Sequence, residues 1–288
     1  MKFYVVLTLS LILLNSCREL VQDKFPEFPL VPTVNSILIA DSLLKVHVSM
    51  AGSIDSNQLM LVSNAEILLF VDDQLKDTLV YESDGIYLSN TKVETLKKYS
   101  CQVKIPGYAT ITCDDSIPFP VQLSDIVHIK QAGKNEEGIS YPAIQFTFNN
   151  NPTEKLYFEA AIRLIQYGNE ERADLEAITD PVLLNEGLPI AVFSNELISG
   201  QSYTMTINYT TNTGNSQGMG LFPLILELRS VSHSYYQFVK QLYLYEIGRY
   251  PDGIQASSSA FQLYSNVQNA YGIFAGYSAS QTDTIYPN

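Results

Sequence analysis

The chain has 288 residues, 46% hydrophobic and 16% charged, with 17 Lys+Arg against 30 Asp+Glu and a formal charge of −13. This length provides for one or two domains with a substantial core, and the apolar content excludes a disordered chain. Three cysteines are too few for a disulfide scaffold, and an acidic chain without a basic block is ill suited to nucleic acid, whose phosphates are held by Lys and Arg.

Residues 1–17 read as an address. Lys2 precedes an uncharged, mostly apolar stretch from Phe3 to Leu14. A bilayer span needs about 20 residues, so this shorter run suits a signal-peptide core. It ends in Leu14-Asn15-Ser16-Cys17, which resembles a bacterial lipobox, in which the cysteine is acylated and becomes the new N-terminus. Cys17 is therefore the candidate lipidation site. An ordinary secretory signal with a chance cysteine is the competing reading. Losing residues 1–16 removes Lys2 and no acid, leaving 16 bases against 30 acids, or −14.

Residues 18–32 carry Pro26, Pro29 and Pro32. Proline at every third position favours an extended polyproline path, read here as a tether; a first strand with prolines on its edge is the alternative. Residues 33–120 then alternate. Leu44, Val46, Val48 and Met50 face one way and Lys45, His47 and Ser49 the other, the period of a half-buried strand. Asp72-Asp73-Gln74, Asp84-Gly85 and Pro106-Gly107 punctuate further strand-forming runs as turns. Such spacing predicts a sandwich of roughly seven strands.

Pro118-Phe119-Pro120 marks a boundary, and residues 121–288 form a second β-rich region. Ile144, Phe146 and Phe148 oppose Gln145 and Thr147. Leu156, Phe158, Ala160 and Ile162 oppose Tyr157, Glu159 and Arg163. Tyr203, Met205, Ile207 and Tyr209 oppose polar neighbours, and Leu224, Leu226 and Leu228 oppose Glu227 and Arg229. One segment breaks the period: residues 232–247 place Tyr235, Phe238, Val239 and Leu242 at helical spacing, with Ser232 or Ser234 as cap. The fold class is mainly β, two regions with one substantial helix.

Motifs for chemistry are few. Gly214-Asn215-Ser216-Gln217-Gly218 fits G-x-S-x-G, but a nucleophile elbow needs a strand before and a helix after, and Pro223 forbids the helix. His47, His128 and His233 are far apart, without the close pairing of a zinc site. Asp72-Asp73 and Asp114-Asp115 lack the spaced oxygens of a calcium loop and read as turns. No P-loop or dinucleotide fingerprint occurs, so no catalytic residue, metal or cofactor is assigned, and the chain is not expected to be an enzyme; a hydrolase is the remote alternative.

Two patterns point to covalent chemistry. In a hairpin centred on Gly107, partner numbers sum to 214, so Cys101 and Cys113 face each other and form a candidate disulfide; two reduced, buried thiols are the alternative. Asp41-Ser42-Leu43, Asp77-Thr78-Leu79, Asp115-Ser116-Ile117 and Asp283-Thr284-Ile285 resemble the O-glycosylation sequon of exported Bacteroidetes proteins. Ser42, Thr78, Ser116 and Thr284 are the candidate acceptors, although Asp-Ser and Asp-Thr pairs also favour turns on their own account.

A series of short pieces carries a family resemblance by their order along the chain: Pro32-Thr33-Val34-Asn35-Ser36, Val62-Ser63-Asn64-Ala65-Glu66-Ile67, Ser83-Asp84-Gly85-Ile86-Tyr87, Tyr99-Ser100-Cys101-Gln102-Val103 with Pro106-Gly107-Tyr108, Leu228-Arg229-Ser230-Val231-Ser232 with Tyr235-Tyr236, and Ser265-Asn266-Val267 with Tyr271-Gly272-Ile273-Phe274-Ala275-Gly276. Together they resemble the Bacteroidetes lipoprotein family catalogued as domain of unknown function 4249. The chain departs from that family's glycine pattern at Ser36 and at Ala270-Tyr271. The resemblance implies an immunoglobulin- or transthyretin-like first sandwich and an outer-membrane lipoprotein held by its lipid. It also implies an accessory or binding role beside a TonB-dependent transporter, with ligand and leaflet unassigned. A surface adhesin or glycan-binding module is the alternative, motivated by 19 tyrosines and long polar loops.

Overall fold

Alternation in the first region produces nine strands: β1 (Val31–Ile39), β2 (Leu43–Ala51), β3 (Met60–Leu61), β4 (Glu66–Val71), β5 (Gln74–Thr78), β6 (Val80–Ser83), β7 (Ile86–Lys92), β8 (Lys98–Lys104) and β9 (Ile111–Ser116). The second region adds β10 (Leu123–Lys134), β11 (Ser140–Asn149), β12 (Tyr157–Gln166), β13 (Asn169–Arg172), helix α1 (Pro181–Glu186), β14 (Val192–Ser194), β15 (Ser202–Asn208), β16 (Gly214–Asn215), β17 (Gly218–Met219), β18 (Leu224–Val231), helix α2 (His233–Arg249) and β19 (Tyr271–Gln281). These come from a computed structural model that describes residues 29–52, 59–211, 213–215, 218–249 and 263–287. The signal segment, Cys17 and Pro26 lie outside the described residues. The protein is mainly β, as its periodicity predicts. Pro32 lies inside β1, opposite Met50 of β2, so the last residues assigned to the tether begin the first strand, where proline is tolerated.

The turns do what their residues dictate. Asp72 and Asp73 both take positive φ between β4 and β5, and Asp84-Gly85 does the same between β6 and β7, as tight hairpin turns require. Between β5 and β6 the chain changes sheet: Leu79 is buried, and β5 pairs with β4 while β6 pairs with β7. The result is a sandwich. Strands β1, β2, β7 and β6 form one layer and β5-β4-β8-β9 the other. Val34, Val46 and Val48 from the first pack with Ile67, Leu69 and Val103 from the second.

The two regions have separate cores but share a sheet. The largest sheet runs β13-β12-β18-β19-β1-β2-β7-β6. Strand β19 is the relay: residues 271–277 pair in parallel with β1, and residues 277–281 pair antiparallel with β18. Phe274 of β19 and the nearby Val267 therefore belong to the first core. The division at Pro120 separates cores rather than sheets. The second core lies between β12-β18 and the three-stranded sheet β10-β11-β15, centred on Phe146, Phe148, Phe158 and Phe193.

Helix α2 forms where the aromatic stripe predicts it, with the Ser232 hydroxyl accepting from the Tyr235 N–H at 3.2 Å, the N-cap arrangement. It covers the face of β12 and β18 that alternation assigns to solvent. Glu159, expected outward, is 2% exposed. Its carboxylate accepts from Arg172 at 2.8 Å, Arg229 at 2.8 Å and the Tyr235 hydroxyl at 2.7 Å. Glu227 is likewise buried and pairs with Arg229. The polar face thus becomes a second interior, tolerable because its charges are paired. Burial alone would raise the Glu159 carboxyl, but the two guanidinium groups and Tyr235 outweigh it and hold it below the ordinary glutamate range.

Candidate functional site

Where the two cores meet, a cleft of about 740 Å³ opens. Five stretches build it: Asp72 in the β4–β5 turn, residues 96–98 entering β8, residues 115–121 leaving β9, residues 149–158 from the end of β11 into β12, and residues 230–233 joining β18 to α2. Its position follows from β19, which fixes both halves at once. Ile117 exchanges backbone hydrogen bonds with the 96–97 loop, and the Ser278 hydroxyl donates to the Pro118 carbonyl at 2.7 Å. A Cβ at Gly276 would lie 2.1 Å from Ile117 Cδ1 and 3.1 Å from the Leu38 carbonyl oxygen, so glycine here lets Ile117 pack directly on the relay strand.

The wall formed by residues 149–156 is held by buried amides. Asn150 donates to the carbonyls of Ile198 at 3.1 Å and Gly200 at 2.7 Å. Asn195 donates to Asn150 Oδ1, the Asn151 carbonyl and the Glu154 carbonyl, and accepts from the Leu156 N–H at 3.0 Å. The segment joining β11 to β12 is therefore a braced wall. On the opposite side Ser232 ties α2 to the relay strand: its N–H donates to the Gly276 carbonyl at 2.9 Å and its hydroxyl accepts from the Gly276 N–H at 3.3 Å.

The chemistry of the cleft is mixed. Leu96 and Phe119 stand at its lip, 73% and 62% exposed. Lys97 pairs with Asp72 there, and Lys98 with Asp73 and Asp114, exposed ion pairs worth little individually. Half-buried Tyr157 and exposed His233 also line it, their rings 5.2 Å apart. Among the described residues, three buried polar atoms lack a hydrogen-bond partner, and two belong to cleft residues: Asp115 Oδ2 and Ser230 Oγ. Burial pushes the Asp115 carboxyl up to about 6; the Ser232 side chain and the Ser116 and Gly276 N–H groups oppose the shift, and Asp114 adds to it. The cleft thus combines apolar lips, fixed amides and two buried oxygens without a hydrogen-bond partner.

The residues singled out by sequence are scattered. Cys101 and Cys113 pair in register as the hairpin sum requires. Both are free and buried in the structure, Cys113 Sγ donating toward the Cys101 carbonyl at 4.0 Å. The contact with Cys113 and burial in the core push the Cys101 thiol well up, suppressing the thiolate through which oxidation proceeds. Ser42 is exposed in the β1–β2 turn and Thr78 at the end of β5, while Thr284 is half-buried beyond β19. Ser116 is exposed and lines the cleft. In two of these four, the preceding aspartate accepts the hydroxyl residue's own N–H at 2.8 Å, Asp77 for Thr78 and Asp115 for Ser116.

The histidines stay apart. His128 Nε2 meets the Tyr209 hydroxyl at 2.8 Å, and burial, then Lys130, lowers its pKa. Among the described residues no group of His, Cys, Asp or Glu is arranged to hold a metal. Ser216 lies outside the described residues, and the chain after it forms β17 and β18 rather than a helix. Sequence reading missed Asn150, Asn195 and Ser230. Only the run Asn149-Asn150-Asn151-Pro152 offered a signal, since clustered Asn before Pro marks an ordered turn.

A family model for a domain of unknown function, DUF4249, matches residues 21–283. The chain belongs to the DUF4249 family. The match spans both cores, the cleft and β19, so the shared sheet lies wholly within the DUF4249 unit. No curated protein matches the sequence. Among the described residues no helix of this DUF4249 chain is long and apolar enough to cross a membrane.

Proposed function

We propose that this DUF4249 chain is an outer-membrane-anchored lipoprotein that holds a ligand in the cleft between its cores, as an accessory component of a TonB-dependent transporter. The cleft carries the reading. A braced concavity of this volume with apolar lips and convergent polar groups is the usual form of a small-ligand site. The Leu14-Asn15-Ser16-Cys17 motif supports the anchor, and two or more acyl chains hold a protein to a bilayer where one does not. The transporter is the partner implied by the family resemblance.

Purification of the detergent-solubilised lipoprotein, followed by mass-spectrometric identification of its companions, tests this. The expected companion is a TonB-dependent barrel. Ser116→Trp, an exposed position on the cleft, should weaken ligand or partner capture without unfolding the protein. Pure lipoprotein with no barrel contradicts the transporter role. A second reading, a glycan-binding surface module, is favoured by the exposed Phe119 ring at the cleft lip, a platform of the kind sugars stack on. A glycan array separates the two.

A further inference from the structure

We infer that the end of the molecule next to the tether is a membrane-resting surface, on which the protein lies against the lipid instead of standing off at the length of its leader. The inference rests on the Cys17 anchor proposed above and adds an orientation to it.

The sheet registers place six exposed apolar side chains at one end. Strand β1 starts at Val31 opposite Ala51 of β2, and Thr33 pairs with Tyr271 at the start of β19. Met60 and Leu61 of β3 pair with Met50 and Ser49 of β2 at the same end. Leu30 and Met60 converge over Gly52, whose ideal Cβ position lies 3.1 Å from Leu30 Cδ2 and 3.9 Å from Met60 Cε. The β8–β9 hairpin points the same way, since Asn269 donates to the Thr110 carbonyl at 2.9 Å just before β19 begins. Leu30, Leu59, Met60, Leu61, Tyr108 and Tyr271 are between 37% and 65% exposed. Leucine and methionine flanked by tyrosines form the mixture suited to a lipid interface, where tyrosine keeps its hydroxyl wet.

The chain itself names the occupant. It passes out of the described structure at Pro29, beside Leu30 and thus inside the patch. Cys17 is 13 residues from Leu30, so an extended leader reaches at most roughly 45 Å. An acylated Cys17 would keep the patch within that distance of the bilayer at all times, at an effective concentration of roughly millimolar. The far end of the sheet points away: β19 rises roughly 35 Å from Tyr271 to Gln281, and Tyr167, 91% exposed, lies beyond it in the β12–β13 turn. Glu82 and Asp84 flank the patch through the β6–β7 turn, where Gly85 approaches Leu61. The surface should therefore prefer neutral headgroups to anionic ones.

The chain contains no tryptophan, so a single introduced one is a unique reporter. Lipidated full-length L59W, Y271W and Y167W are placed separately in neutral phosphatidylcholine–phosphatidylethanolamine vesicles with and without brominated acyl chains, which quench only at short range. L59W and Y271W should lose at least half of their emission, and Y167W should lose none. Leu61→Asp in the Y271W background should restore the emission at least twofold while the protein still sediments with the vesicles. Unquenched L59W and Y271W on sedimenting vesicles would overturn the resting surface and leave the anchor standing. Quenching that survives Leu61→Asp would show that the apolar side chains do not seat the protein, and overturn it as well. Protein that fails to sediment at all would remove the anchor and this inference together.

Discussion

Two carboxylates, Glu159 buried and Asp115 half-buried, show how surroundings decide the fate of one charge type. Glu159 has three donors and is held ionised. Asp115 has an unmet oxygen and is pushed toward its neutral form. The sign for Asp115 follows from linkage: its carboxyl titrates near 3.8 when unfolded and near 6 when folded. Between those values the native state binds more protons, so this group's contribution to stability declines as pH rises through that window. Asp115→Asn should therefore stabilise the protein by about 1–2 kcal/mol at pH 7.5 and have almost no effect at pH 4. Urea titrations at both pH values check this; an equal effect at both would contradict it. The thiols Cys101 and Cys113 follow the same logic of burial. Neither should react with an alkylating reagent in the native protein, and both should do so in denaturant, as mass analysis would report.

At the scale of elements, the relay strand is the most constrained. Gly272 has φ +126, and a Cβ there would meet the Val34 carbonyl oxygen at 1.9 Å. Gly272→Ala should cost at least about 3 kcal/mol, because it adds backbone strain to a backbone collision in the β1–β19 pairing. Thermal unfolding measures it, and a loss below about 1 kcal/mol would contradict the register. Much of the element list was legible in the sequence. Period-two alternation located β2, β11, β12, β15 and β18; paired aspartates and Pro106-Gly107 located hairpins; the Tyr235–Leu242 stripe located α2. The relay strand was not legible as a strand, because the run Ile273-Phe274-Ala275 lacks alternation and a strand buried on both faces reads much like a buried helix. Glu159, Glu227 and Arg229 were assigned to solvent because alternation reports polarity, and a paired charge under a helix looks the same in sequence as a solvated one. Helix α1 was overlooked although Asp180-Pro181 and Gly187 supply its N-cap, first-turn proline and left-handed C-cap.

At the scale of the whole molecule, one strand closes two cores and so creates the cleft. The cleft was illegible in the sequence because its walls come from five segments spanning residues 72 to 233. The sheet continuity predicts shared stability: amide exchange of Ile37 in β1 and Leu228 in β18, both neighbours of β19, should report opening energies equal to within about 1 kcal/mol. Separate unfolding of the two halves would contradict it. The proposed anchor would set how this body is used, since the proposed localisation, orientation and company all depend on Cys17. The most direct test is intact-mass and N-terminal peptide analysis of the protein from its native membrane. The predicted result is a chain that begins at Cys17 and carries acyl chains on that residue. An unacylated chain that keeps Met1, or one cleaved elsewhere with a free Cys17 thiol, would contradict it.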